Sequence, residues 1–286
     1  RAHGVKARVP AKLPSPAEAT ATALRPTRKA FTSIFEAALV DCAEHDPRVH
    51  AITAAMPSGT GLSRFAERFP ERFHDTGITE QHAVAMAGGM ASGGLKPVAA
   101  IYSTFLQRGY DQVFLEVALQ RAPVVFALDR GGLVGQDGPT HMGLYDLAYL
   151  RPLPGFVLAS PRDGTDLRRM LDAAIAASDG PWALRWPRGD AADAIGSAPE
   201  DRPAMLPGTA ERLLRGGDGC VLALGAMVEP ALEAARIARE AHELYLEVWD
   251  ARFCKPLDAR MLEEVSARFG WVATVEEHGL QGGFGS

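Results

Sequence analysis

The 286-residue sequence contains no asparagine. It has three cysteines, Cys42, Cys220 and Cys254, which are far apart and odd in number. They offer no disulfide framework and predict reduced thiols in a cytoplasmic protein. No apolar run reaches the ~20 residues of a membrane span. The longest candidate, APVVFAL at 122–128, has the length of a buried strand. Neither sign of charge dominates, and a net charge of −5 leaves no basic footprint for nucleic acid. The opening RAHGVKARVPAKLPSP is basic without an apolar core and does not read as a signal peptide. P-loop, dinucleotide GxGxxG and GxSxG patterns are all missing. His74, His82 and His141 have no zinc-like spacing with cysteine. These absences exclude a disulfide-stapled domain, a membrane span and a nucleic-acid partner, and leave small molecules.

Hydrophobic residues make up 47% and charged residues 23%, the balance of a globular chain long enough for two domains. Residues 1–28 are rich in Pro, Ala, Lys and Arg and read as a linker or arm, which hints that residue 1 is not a natural beginning. From 29 to 190, helical periodicity alternates with short apolar runs. Helices are predicted at 28–43, 62–69, from Thr79 or Glu80, at 106–119 and after SPRDG. Strands are predicted at 49–54, 98–102, 124–128, 157–159 and 182–186. Such alternation predicts a parallel sheet with helices on both faces. Residues 191–206 read as a second linker. A smaller α/β unit is expected over 207–286, with strands at 220–224, 245–249 and 271–276; it breaks off at GGFGS as if cut short.

Polar segments follow the strands: MPSG, TGITE, STF, DRGG and PRG. In a parallel sheet, ligands bind beyond the carboxyl ends of strands, so these segments should converge. The candidates are Glu80; Tyr102, Phe105 and Arg108; Arg130, Asp137 and His141; and Arg188. Each also has a plain structural reading. Glu80 could cap a helix, Phe105 could be core, the arginines could be surface charges, and His141 an ordinary loop residue. Gly88-Gly89 in a helix demands a reason, such as close packing. The triplet GDG at 217–219 reads as a turn.

The stretches DTGITEQHAVAMAGGMASGGLKPVAAIYSTFLQRGYDQV, LDRGGLVGQDGPTHMGLYDLAYLR, LRWPRG, DARFCKPLD and VEEHGLQGGFGS together resemble the 1-deoxy-D-xylulose-5-phosphate synthases, thiamine diphosphate enzymes of transketolase type. YSTFLQR and DGPTH make the match specific. The resemblance implies a pyrimidine-binding domain over 29–190 and a partial C-terminal transketolase-type domain over 207–286. The domain that holds the diphosphate and Mg²⁺ in that family would be missing. A GDG that closes on an asparagine marks it there, and here asparagine is lacking.

By position, the resemblance makes Glu80 the carboxylate on the aminopyrimidine ring. Phe105 becomes the stacking face, with Ile78 and Arg108 also at the cofactor. Tyr102, Arg130 and Arg188 become substrate contacts, and Asp137 and His141 handle protons or hydroxyls. The implied reaction joins pyruvate, with loss of CO₂, to glyceraldehyde 3-phosphate, giving 1-deoxy-D-xylulose 5-phosphate, an early step of isoprenoid and thiamine biosynthesis, in a homodimer. Two alternatives remain at this level: the β subunit of a 2-oxo acid dehydrogenase, and a non-catalytic α/β binding module.

Overall fold

A computed structural model describes residues 28–192 and 194–286; the arm expected over residues 1–28 lies, but for Arg28, outside them. The strands are β1 (Lys29–Ala30), β2 (Val49–Thr53), β3 (Phe73–Asp75), β4 (Lys96–Tyr102), β5 (Val125–Asp129), β6 (Val157–Ala159), β7 (Trp182–Arg185), β8 (Asp190–Ala191), β9 (Glu211–Leu214), β10 (Gly219–Ala223), β11 (Leu246–Asp250), β12 (Phe253–Lys255) and β13 (Val272–Val275). The helices are α1 (Phe31–His45), α2 (Ser63–Arg68), α3 (Glu80–Ser92), α4 (Ser103–Leu106), α5 (Tyr110–Gln112), α6 (Asp146–Leu150), α7 (Gly164–Ala176), α8 (Val228–His242) and α9 (Ala259–Arg268).

The main sheet has seven strands in the order β12-β6-β7-β5-β4-β2-β3. All its neighbours run parallel except β12, which lies antiparallel on β6. Inner strands are apolar on both sides, as a sheet covered on both faces requires. Along β5, Phe126 and Leu128 enter one core, while Val125 and Ala127 enter the other. The alternation follows from the two-residue period of a strand. The first core takes in α3 and the stretch after β4, and runs on into Leu222, Met261 and Phe284 of the C-terminal part. The second packs α1 and α7 against the other face.

Several elements depart from expectation. The helix expected over 106–119 is broken into α4, a 3-10 turn at Gln107–Gly109, α5 and a π-helical turn at Val113–Ala118. Hydrophobic spacing alone does not distinguish these hydrogen-bond registers. Gly88 of α3 packs against this stretch; a Cβ there would lie 2.9 Å from the Glu116 carbonyl oxygen. Gly89 meets nothing, and the structure gives no reason for it. Strand β12 is built by the C-terminal part but extends the first domain's sheet. The second sheet, β13-β10-β11-β9, is otherwise self-contained. Gly217 and Asp218 form the bend before β10, both N–H groups donating to the Tyr245 carbonyl at 3.0 Å.

The segment 191–206 is fastened down rather than loose. Arg202 is buried and donates to Asp163 and Asp166, with three carboxylate contacts of 2.7–2.9 Å across the two. Asp163 also caps α7, accepting from the Asp166 N–H at 2.9 Å. The cluster continues to Arg162, which donates to Glu211 at 2.8 Å and Asp250 at 2.9 Å, and to Arg252, which donates to Glu211 at 2.7 Å. Arg162, Arg202 and Arg252 thus face Asp163, Asp166, Glu211 and Asp250, one carboxylate more than the arginines neutralise.

Burial, opposed by Arg162, pushes Asp250 from 3.8 up to about 7. A raised carboxyl gives a stability term present below its unfolded value and lost as pH rises through its folded one. Asp250→Asn mimics the protonated form. Its thermal stability relative to wild type should therefore improve as pH climbs from 5 to 8. A thermal-unfolding series in which the difference is flat or reversed contradicts this.

Candidate active site

The carboxyl ends of β2, β3, β4, β5 and β7 open on one edge of the sheet, and every sequence-predicted site residue lies on the segments leaving them. After β3, Asp75 Oδ1 accepts from the Ala55 N–H at 2.8 Å and from the Gly77 N–H at 2.9 Å. Thr79 Oγ1 donates to the Thr76 carbonyl at 2.7 Å. This turn sets Glu80 at the first position of α3, which has no side-chain cap. Glu80 is 3% exposed. Arg108 Nη1 lies 3.0 Å from its Oε2, yet among the described residues none directs a hydrogen bond to that oxygen, which is buried. A cap would turn its oxygens to the free N–H groups of the helix. An orphaned buried carboxylate oxygen is costly unless a partner is supplied. Ile78, two residues earlier, is 72% exposed.

A second group forms around β4 and β5. Tyr102 and Phe105 stack with ring centroids 5.4 Å apart, and His141 meets Phe105 edge-on at 5.2 Å. The Arg130 guanidinium sits 4.3 Å over the Tyr102 ring, a cation–π contact. Arg130 has a φ of +63°, in the left-handed region that non-glycine residues seldom occupy. Its N–H donates to Asp129 Oδ1 at 2.7 Å, and its Nη1 to the Gly59 carbonyl at 2.9 Å. Gly59 is required where it stands, since a Cβ would fall 2.4 Å from the Tyr102 hydroxyl. Burial lowers the Arg130 pKa, but Asp129, Tyr102 and Asp137 together more than compensate, leaving it raised. Burial also raises Asp129, against the pull of Arg130.

Asp137 bridges the two arginines, accepting from Arg130 Nε at 3.4 Å and from Arg188 Nη1. Beside them lies a cavity of about 500 Å³ lined by Thr32, Arg130, Gln136, Arg188 and Asp190, among others. It does not reach Glu80. The Glu80–Arg108 pair and the Arg130–Arg188 group are linked through the stretch from Tyr102 to Arg108. Two residues had no signal in the sequence. Thr32 of α1 donates to Asp129 Oδ2 at 2.5 Å, and the backbone carbonyl of Gly59 takes the Arg130 bond. Both act from segments remote in sequence, Thr32 within an ordinary amphipathic helix and Gly59 through an atom every residue has.

A buried glutamate paired with Arg108, at the strand ends that also carry the Tyr102–Phe105 stack and the Arg130–Arg188 group, agrees with comparison to known proteins. Residues 27–192 match the transketolase pyrimidine-binding domain, and 208–286 match the transketolase C-terminal domain. The chain belongs to the transketolase family.

Among family members, it is 53% identical over 265 residues to "1-deoxy-D-xylulose-5-phosphate synthase 1" of Geobacter sulfurreducens, covering 93% of this chain and 41% of that protein. It is 54% identical over 256 residues to 1-deoxy-D-xylulose-5-phosphate synthase of Magnetococcus marinus, covering 90% of this chain and 40% of the relative. The chain therefore spans about two fifths of these relatives. Among solved structures, a split-gene transketolase in an inactive β4 tetramer superposes with a TM-score of 0.79 at 30% identity, over 90% of this chain and 82% of that one. Transketolase of Pichia stipitis gives a TM-score of 0.77 at 19% identity over 88% and 39%, a likeness of fold.

The Arg188–Asp137 pair is partly exposed, and such pairs contribute about 0–1 kcal/mol to stability. Arg188→Ala should therefore leave the melting temperature nearly unchanged, while binding of a phosphorylated ligand by the complete protein weakens. A melting temperature that falls as far as in a core truncation would assign Arg188 to the scaffold instead.

Proposed function

We propose that this chain is the pyrimidine-binding and C-terminal portion of a thiamine diphosphate enzyme that joins pyruvate, with loss of CO₂, to glyceraldehyde 3-phosphate, forming 1-deoxy-D-xylulose 5-phosphate. The observation that carries the reading is the buried Glu80 oxygen that finds no donor among the described residues, beside Arg108, which lies just after the Tyr102–Phe105 stack in the chain. A pyrimidine ring nitrogen is a fitting partner for it. The residues present thus suit the pyrimidine end of the cofactor. Among the described residues no group of three His, Cys, Asp or Glu side chains could hold an ion. On the resemblance, we propose that Mg²⁺ and the diphosphate are held by residues outside the two matched domains.

When bound, thiamine diphosphate supplies the electron sink for decarboxylation of a 2-oxo acid. Glu80 shares a proton with the aminopyrimidine ring and so governs its protonation. Phe105 offers a flat face that fixes ring orientation, with Ile78 as an apolar neighbour and Arg108 holding the glutamate. Arg130 and Arg188 present guanidinium forks suited to the phosphate of the acceptor. Asp137 bridges both forks and would give way to the phosphate when it arrives. His141, edge-on to Phe105, would exchange a proton with the acceptor's oxygen atoms, and Tyr102 would line the approach.

The arginine pair favours a phosphorylated acceptor over the lipoyl domain that a 2-oxo acid dehydrogenase β subunit would serve. We further propose a homodimer, supported by the exposed Tyr110, Phe114, Leu115 and Leu119 along one stretch. A cytoplasmic setting is supported by three free thiols. Among the described residues no helix is long and apolar enough to cross a membrane.

In the complete protein, Glu80→Gln should lower kcat by roughly 10²–10⁴-fold, the usual contribution of a positioned proton-handling group, without unfolding it. Near-normal turnover of pyruvate and glyceraldehyde 3-phosphate by this variant would reduce Glu80 to a helix-end acid. The 286-residue chain alone should be inactive, and robust turnover by it overturns that expectation; acyl transfer to a lipoyl domain in place of the aldehyde reaction refutes the proposed function.

A further inference from the structure

The loop that carries Asp137 and His141 leaves β5 and returns almost to its start. Gly132 and Gly143 exchange N–H···O bonds of 2.8 and 2.9 Å, closing a neck beneath it. Inside the neck lies Arg185, the last residue of β7, which is 5% exposed. Its Nη2 donates to the Gly143 carbonyl at 3.1 Å and to the Glu277 carbonyl at 2.9 Å. Its Nε donates to Asp146 Oδ2 at 2.7 Å. The fit is tight, for a Cβ on Gly131 would lie 3.0 Å from the guanidinium carbon.

The third side comes from beyond β13. Gly279 N–H donates to the Leu144 carbonyl at 3.3 Å. Gly132 makes room for Glu277, whose Cβ would be 2.6 Å from a Cβ on the glycine. His278 donates from Nδ1 to the Gly279 carbonyl at 2.9 Å. Its Nε2 faces Asp146 Oδ1 at 3.7 Å, and both atoms are buried without a hydrogen-bond partner. A guanidinium fully withdrawn from water is tolerated when its bonds are directed and paired, and it then holds its partners in one geometry. Here those partners are the loop, the helix that follows it and the C-terminal domain.

We propose that Arg185, with Asp146, is a positioning residue for the reaction: it closes the neck of the 131–143 loop and so holds Asp137 and His141 at the acceptor site, with residues 277–279 as the third side of the clasp. The C-terminal domain thereby shapes the acceptor site from behind, without lining it. The role in turnover rests on the functional reading above; the role in holding the loop does not.

Both are tested in the complete enzyme with Asp146→Asn and Arg185→Lys. Hydrogen exchange of peptides spanning 131–143 should quicken in each variant, while exchange in α3 stays as in wild type. KM for glyceraldehyde 3-phosphate should rise roughly tenfold, since small misplacements of binding groups cost rate and affinity steeply. Thiamine diphosphate affinity, read by tryptophan quenching, should stay within about twofold, its contacts lying on the Glu80 side. Lysine keeps the charge but not the fork, so Arg185→Lys should not rescue.

Unchanged loop exchange in a folded variant overturns the clasp. So does a loss of cofactor affinity and both substrate affinities in step with the melting temperature. If the single variants fail to fold, the pair Arg185→Met with Asp146→Leu removes both charges together and is read by the same exchange. Wild-type enzyme that fails to use both substrates would sink the functional reading, and loop exchange would still decide the clasp.

Discussion

The parallel register of the main sheet is the constraint on which the rest depends. Because β2, β3, β4, β5 and β7 all point the same way, everything that follows them is delivered to one edge. Residues separated by more than a hundred positions, such as Glu80 and Arg188, are there without any local pattern relating them. The sheet can take this form because its inner strands are apolar on both faces, and α1, α3 and α7 cover them. Burying side chains such as Phe126, at about 1.5–3 kcal/mol each, offsets the strained Arg130 backbone and the orphaned Glu80 oxygen. Such costs are commonly met at functional sites and carried by the surrounding fold.

Charge is used in two ways. Around Arg162, Arg202 and Arg252, guanidinium and carboxylate groups are nearly excluded from water and join the first domain, the connecting segment and the C-terminal part. Breaking one member of such a cluster leaves an uncompensated buried charge, so these contacts set geometry more than they add net stability. At the sheet edge, Arg108 and Arg188 stay about half and one-third exposed, their carboxylate partners close by. There the guanidinium groups can change partners, which a site for an anionic ligand needs. Arg185 belongs with the first kind although it stands a few residues from the second.

Much of the architecture was legible in the residues. The alternation of strand and helix, the placement of polar segments after strands, and each candidate from Glu80 to Arg188 follow from period and order. What escaped has a common cause. Strand β12 is three residues long and is defined by its partner β6, not by its own composition. The segment 191–206 has the composition of a linker, yet Arg202 anchors it through acids on α7. The break in the helix after β4 reflects hydrogen-bond registers that one hydrophobic pattern cannot separate. Ile78 could be matched by position, but its exposure could not be foreseen.

By itself the sequence determined the fold class and the family, because these depend on periodicity and on residue types in fixed order, and it nominated the side chains that we propose carry the chemistry. Only the tertiary structure decided that Glu80 keeps an oxygen without a donor among the described residues, that Asp137 spans two arginines, and that Arg185 and His278 converge on Asp146 beneath the loop. Those facts are distances between segments remote along the chain. Distances of that kind arise when the sheet closes and packs, and no local run of residues encodes them.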